Sequence, residues 1–186
     1  MTRAVFLDRD GTLIQQKHFL SNPDDVTLQA GAGPALNRLQ TEGFRLFIVS
    51  NQSGVSRGYF TMVEVERVNQ RVEKEFAGFG VHFENIYVAP EGPNEPSRGR
   101  KPSPQFLLDA RDEFGLNLAD SYLIGDKLSD LECGWNAGVK KCLLVRTGYG
   151  GQTEREYNNR IGRAVVVDDI VGGVEWILTQ LNMGKV

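Results

Sequence analysis

Val5, Phe6 and Leu7 run straight into Asp8 and Asp10, with Gly11 and Thr12 behind them. An apolar run bounded in this way predicts a short buried strand that ends in a tight polar turn. The pattern recurs along the chain. Residues 44–49 run into Ser50-Asn51-Gln52-Ser53-Gly54, residues 122–124 into Gly125-Asp126, and residues 142–145 into Arg146-Thr147-Gly148-Tyr149-Gly150-Gly151, which leaves the strand as a connection. Further strands are expected at 85–89 and 164–167. Helical spacing fills the intervals between them. Gly33-Pro34 opens a helix with Leu36 and Leu39 on one face, closed by Gly43. Thr61-Met62-Val63-Glu64 has capping-box spacing, and Val65, Val68, Val72 and Phe76 follow it to Gly78. Ser103-Pro104 precedes Phe106, Leu107, Ala110 and Phe114, with Gly115 as the stop. Later helices are expected from about Asp130 to Gly138 and over 170–181.

Residues 14–29 show no clear period and contain the turn cluster Ser21-Asn22-Pro23-Asp24-Asp25, so a loop or small hairpin folding over the strand ends is expected. Residues 90–99, rich in Pro, Gly and Glu, are a loop that delivers Arg100-Lys101-Pro102. The alternation of strand and helix predicts an α/β fold: a doubly wound, mostly parallel sheet with helices on both faces.

Composition narrows this picture. At 186 residues the chain fits one domain with a proper core, and its apolar and charged fractions of 40% and 24% are those of a globular protein. A net charge of -3 gives no basic footprint, so nucleic acid is not an expected partner. No apolar run reaches membrane-spanning length, and the chain enters its first core strand at once, so a cytoplasmic location is expected. Cys133 and Cys142 suit buried free thiols rather than a disulfide or metal site. His18 and His82 stand alone, as surface or packing residues.

The candidate chemistry sits at the strand ends, where open parallel sheets bind their ligands. Asp8 and Asp10 leave their strand on the same side because side chains alternate with period two. Carboxylates so close repel unless a proton or cation intervenes, and Mg2+ would settle the conflict while leaving an oxygen of Asp8 free to attack. Taken alone, the Asp-x-Asp pair reads equally well as a strand followed by a polar turn. Ser50, Asn51, Lys101 and Asp126 stand at equivalent positions, which is hard to reconcile with independent turns.

In chain order, Asp8-Arg9-Asp10-Gly11-Thr12, Ser50, Lys101 in Arg100-Lys101-Pro102 and Asp126 in Gly125-Asp126 resemble the four motifs of the haloacid dehalogenase-like (HAD) phosphatases, over essentially the whole chain. With Ser50-Asn51-Gln52-Ser53-Gly54, Ser56-Arg57-Gly58 and Gly125-Asp126-Lys127, the likeness is greatest to the heptose bisphosphate phosphatases and their histidinol phosphatase relatives. It implies a HAD-like Rossmannoid fold, with Asp8 as nucleophile, Asp10 as general acid and base, and Mg2+ held by Asp8, the Asp10 carbonyl and Asp126. Ser50, Asn51 and Lys101 would hold the phosphoryl oxygens. Arg100 would take a second phosphate or lie at the rim. Asp130 would orient the metal end or merely start a helix, and Arg57 and Lys127 carry the same two readings.

Both intervals where this superfamily inserts lids are short, so a single capless domain spanning 1–186 is expected, acting as a monomer. The heptose enzymes typically carry a zinc loop of cysteines and a histidine before Arg-Lys-Pro; residues 89–99 contain neither, so no zinc is expected. Gln16-Lys17-His18-Phe19 also replaces the Asp and Gly-Tyr common in the sugar-contacting stretch. The expected activity is a Mg2+-dependent phosphomonoesterase that takes the 7-phosphate from D-glycero-D-manno-heptose 1,7-bisphosphate. The alternatives are a phosphatase for histidinol phosphate or another small metabolite, a nucleic-acid 3'-phosphatase, and a noncatalytic phosphate-binding module.

Overall fold

The structure, a computed structural model, describes residues 2–183. Six strands form one sheet: β1 (Arg3–Leu7), β2 (Phe44–Asn51), β3 (Asn85–Ala89), β4 (Tyr122–Gly125), β5 (Lys141–Val145) and β6 (Val165–Val167). Their order is β3-β2-β1-β4-β5-β6, and every pairing is parallel. Parallel neighbours require crossovers, and helices supply them: α1 (Ala32–Thr41), α2 (Met62–Ala77), α3 (Gln105–Phe114), α4 (Leu128–Ala137), α5 (Gly150–Glu156) and α6 (Ile170–Met183). The doubly wound expectation holds.

Period-two alternation divides the central strands between two cores. Val5 and Leu7 face a cluster with Leu36, Leu39, Val68, Val72 and Phe76. Ala4 and Phe6 face the other side, with Leu107, Ala110, Leu131 and both cysteines. Burial in that second core pushes each thiol up to about 12, so both are inert apolar filler, as expected. The chain reverses winding at β1, which places the crevice between the β1 and β2 ends and the β4 end at the topological switch point.

The predicted capping box at α2 forms: Glu64 N donates to Thr61 Oγ1 and Thr61 N donates to Glu64 Oε2. Two boundaries are corrected. α4 starts at Leu128 rather than near Asp130, because the Asp130 carboxylate accepts from Lys127 N and caps the preceding turn. The 146–151 segment is no mere connection, since α5 begins inside it at Gly150. Residues 14–29 make the small hairpin: Ile14 bridges Leu28 in antiparallel fashion, and a 3-10 turn at Pro23–Asp25 lies between them.

Candidate active site

β1 delivers Asp8 and Asp10 to a cavity of about 320 Å³ at the strand ends, walled by the 16–20 segment and the turn after β2. The floor of this cavity is a buried charge cluster. Lys101 Nζ donates to Asp8 Oδ1 (2.5 Å) and to Val49 O (2.6 Å), and lies 2.7 Å from Asp130 Oδ1. Burial alone would lower the ammonium's pKa, but Asp130 and Asp8 outweigh it and the net shift is upward. Lys101 is therefore a fixed cation. It reaches the floor because Asn51 clamps its backbone, accepting from Lys101 N (3.0 Å) and donating to Lys101 O (3.1 Å).

Asp130 resolves one of the readings left open by sequence. It is buried, takes the N–H groups of Asp126 and Lys127 on Oδ2, and pairs with Lys101 on Oδ1. It is a positioning carboxylate as well as a helix start.

Asp8, Asp126 and Asp130 offer oxygens within 4.8 Å of one another. Asp130 is committed to the groups just named, but Asp8 Oδ2 and Asp126 Oδ1 are buried without a hydrogen-bond partner. Unpartnered buried carboxylate oxygens are costly and fit a hard divalent cation. Burial first, then the charge of Asp8, pushes the Asp126 carboxyl up to about 8, so the crowding is left to a proton unless a cation relieves it. Asp126 Oδ2 is fixed by Tyr149 N (2.8 Å), and Thr153 Oγ1 donates to the Asp126 carbonyl (2.9 Å).

Ser50 lies buried beside this floor, its Oγ accepting from Gln52 Nε2 (2.7 Å). Asp10 carries two neighbours that sequence reading missed: Arg9, whose guanidinium forks onto its carboxylate, and Gln52, which donates to Oδ2 (2.8 Å). The Arg9 fork is made between adjacent residues, whereas the Gln52 contact joins positions 42 apart through the meeting of the β1 and β2 ends. Arg57 and Lys127 stand on the wall. Arg100 sits behind it, donating through Nη1 to Glu91 O (2.8 Å). Its charged form is disfavoured by burial and by Arg57, partly offset by Glu91 and Glu95. The 90–100 loop is closed by its own polar groups: Ser97 Oγ donates to Glu91 Oε2, Arg100 N to Ser97 Oγ, and Gly92 N to Glu95 Oε2.

Known proteins resemble this chain in sequence and fold. Residues 99–172 match a family model described as HAD-hydrolase-like. D-glycero-beta-D-manno-heptose-1,7-bisphosphate 7-phosphatase of Helicobacter pylori (strain ATCC 700392 / 26695) is 37% identical over 144 residues, 77% of this chain and 83% of that protein. The Escherichia coli K12 protein of the same name is 38% identical over 152 residues, 78% and 80% of the two chains. A crystal structure of D,D-heptose 1,7-bisphosphate phosphatase from B. bronchiseptica, complexed with magnesium and phosphate, superposes with a TM-score of 0.88 at 27% identity, covering 96% of this chain and 99% of that one. With these relatives at 37–38% identity over most of their length, the chain belongs to the haloacid dehalogenase-like phosphatases, the family of the heptose bisphosphate phosphatases.

Proposed function

We propose that the chain hydrolyses the 7-phosphate of D-glycero-D-manno-heptose 1,7-bisphosphate through an aspartyl-phosphate. The observation that carries this reading is the Asp8-Lys101-Asp130 floor beside Asp126, with Asp8 Oδ2 and Asp126 Oδ1 buried and without a hydrogen-bond partner. A carboxylate oxygen of Asp8 attacks phosphorus while the bond to the sugar oxygen breaks, and Asp10 gives that oxygen its proton. Water then loses a proton to Asp10 and attacks the same phosphorus, releasing phosphate and restoring Asp8. Ser50, Asn51 and Lys101 hold the phosphoryl oxygens in line. Mg2+ held by Asp8, Asp126 and the Asp10 carbonyl would supply charge stabilisation for those oxygens.

A second phosphate is favoured over the cationic amine of histidinol phosphate by the mutual repulsion of Arg57 and Arg100, which an anion relieves. The 90–100 loop is taken to need no zinc, since hydrogen bonds close it. The same reading makes the chain a single capless domain working as a monomer. No described helix is long and apolar enough to cross a membrane, in keeping with action on a small phosphorylated sugar in the cytoplasm.

Mg2+-dependent phosphate release is measured on both heptose bisphosphate anomers, histidinol phosphate, common sugar phosphates and a 3'-phosphorylated oligonucleotide. The expected outcome is a kcat/KM for one heptose anomer far above the rest. Low, flat rates across the panel overturn the heptose assignment, and a folded Asp8→Asn protein that still turns over overturns the covalent step.

A further inference from the structure

Asn69 interrupts the apolar face that α2 turns to the core, where Val65, Val68, Val72 and Phe76 are its buried companions. It is 7% exposed, and its Oδ1 accepts from Arg9 Nη1 at 2.7 Å. Arg9 is 1% exposed. A guanidinium so deeply buried persists only when its charge and its N–H groups are both satisfied. Asp10 supplies the charge: Arg9 Nε donates to Oδ2 at 3.0 Å and Nη2 to Oδ1 at 3.2 Å. Gln52 Nε2 also donates to Asp10 Oδ2 at 2.8 Å and to Ser50 Oγ at 2.7 Å.

A continuous chain of hydrogen bonds therefore runs Asn69, Arg9, Asp10, Gln52, Ser50, from the middle of a scaffold helix to the phosphate end of the cavity. Its contacts on Asp10 are unequal. Oδ2 receives two donors at 3.0 Å or less, while Oδ1 has the single 3.2 Å contact. Every donor is an N–H group that cannot accept a hydrogen bond in return. Oδ2 is thus the more firmly anchored oxygen, and Oδ1, with one longer contact, is the less committed of the two.

We propose that Asn69, acting through Arg9 and together with Gln52, is a positioning residue that aims Asp10 Oδ1 at the leaving oxygen of the substrate. This rests on the phosphatase reading, in which Asp10 hands its proton to that oxygen as the phosphorus–oxygen bond breaks. The consequence is a dependence on leaving group. An alkoxide from a sugar needs the proton, and p-nitrophenolate does not.

The test is turnover of a sugar phosphate and of p-nitrophenyl phosphate by the native chain, Asn69→Leu and Asn69→Asp, each pair of rates taken on one preparation so that any inactive fraction cancels. In Asn69→Leu the ratio of sugar phosphate kcat to p-nitrophenyl phosphate kcat should fall at least about tenfold, a part of the roughly hundredfold or more that an aimed general acid contributes. Asn69→Asp, which keeps an acceptor for Arg9, should restore most of the ratio. Arg9→Lys, which keeps the cation but loses the fork, should show the same fall and carries the test should Asn69→Leu not fold. An unchanged ratio in folded variants, with both rates moving together, overturns the inference and leaves the phosphatase reading standing. A native chain that hydrolyses neither ester overturns both.

Discussion

Lys101 holds three oxygens at once, on Asp8, Asp130 and the Val49 carbonyl, and it does so from a position 4% exposed. Removing its charge does more than remove one phosphate contact. In Lys101→Met the Asp8 and Asp130 carboxylates face each other and Asp126 with only the more exposed Lys127, 3.8 Å from Asp126 Oδ1, left to offset them. Breaking a buried pair by deleting one partner costs about 3–5 kcal/mol. Denaturant unfolding of the metal-free protein should therefore show a lowered midpoint of that order, and phosphate release should fall to near background. A variant of native stability would mean that the cluster is held together by something other than this ammonium.

Among the elements, α5 was the least legible in sequence and governs the acidic end of the site. Its start, Gly148-Tyr149-Gly150-Gly151, has poor helix propensity, and no periodicity could reveal it. What forms it is tertiary. Tyr149 N and Thr153 Oγ1 bind Asp126, and Gly150 lies so close to β5 that an added Cβ would fall 1.6 Å from Val145 O. Gly148, at φ +58, lies against Asp126 Oδ2, where a Cβ would come within 2.3 Å. Gly148→Ala is thus strained in backbone and displaces the carboxylate; Mg2+ affinity, read as the metal concentration that raises Tm halfway, should weaken about tenfold. By contrast the strand ends carrying Asp8, Ser50 and Asp126 were legible, because apolar runs stopping at polar residues encode both the strand and the turn. The Arg9–Asn69 tie was not, because it joins positions 60 apart in the chain through the packing of α2 on β1.

For the molecule as a whole, the site sets a dependence of stability on pH and metal. Asp126 has a carboxyl pushed up to about 8 in the folded chain against an ordinary value of 3.8. Between those values the folded state keeps a proton that the unfolded chain has lost. The stabilisation is full below the lower value and is lost as pH rises through the upper one. Metal-free protein should lose stability across that window, with a slope of at most about 1.4 kcal/mol per pH unit. Saturating Mg2+ should flatten the slope and add about 2.7 kcal/mol at a hundredfold excess over its Kd. Thermal melts from pH 5 to 8, with and without Mg2+, check both signs.

The sheet order β3-β2-β1-β4-β5-β6 also bears on how such a protein diverges. Most of the segments that wall the cavity or back it, residues 16–20, 52–60 and 90–100, emerge on the β1, β2 and β3 side of the switch point, with Lys127, Ser129 and Tyr149 closing it from the β4 and β5 side. Asp126, its glycines and Asp130 hang from β4 and β5. A lineage can therefore exchange one flank for new leaving groups while the other keeps its anion-tolerant geometry. The 90–100 loop, closed here by serine, glutamate and backbone groups, is a unit that such exchange can replace whole.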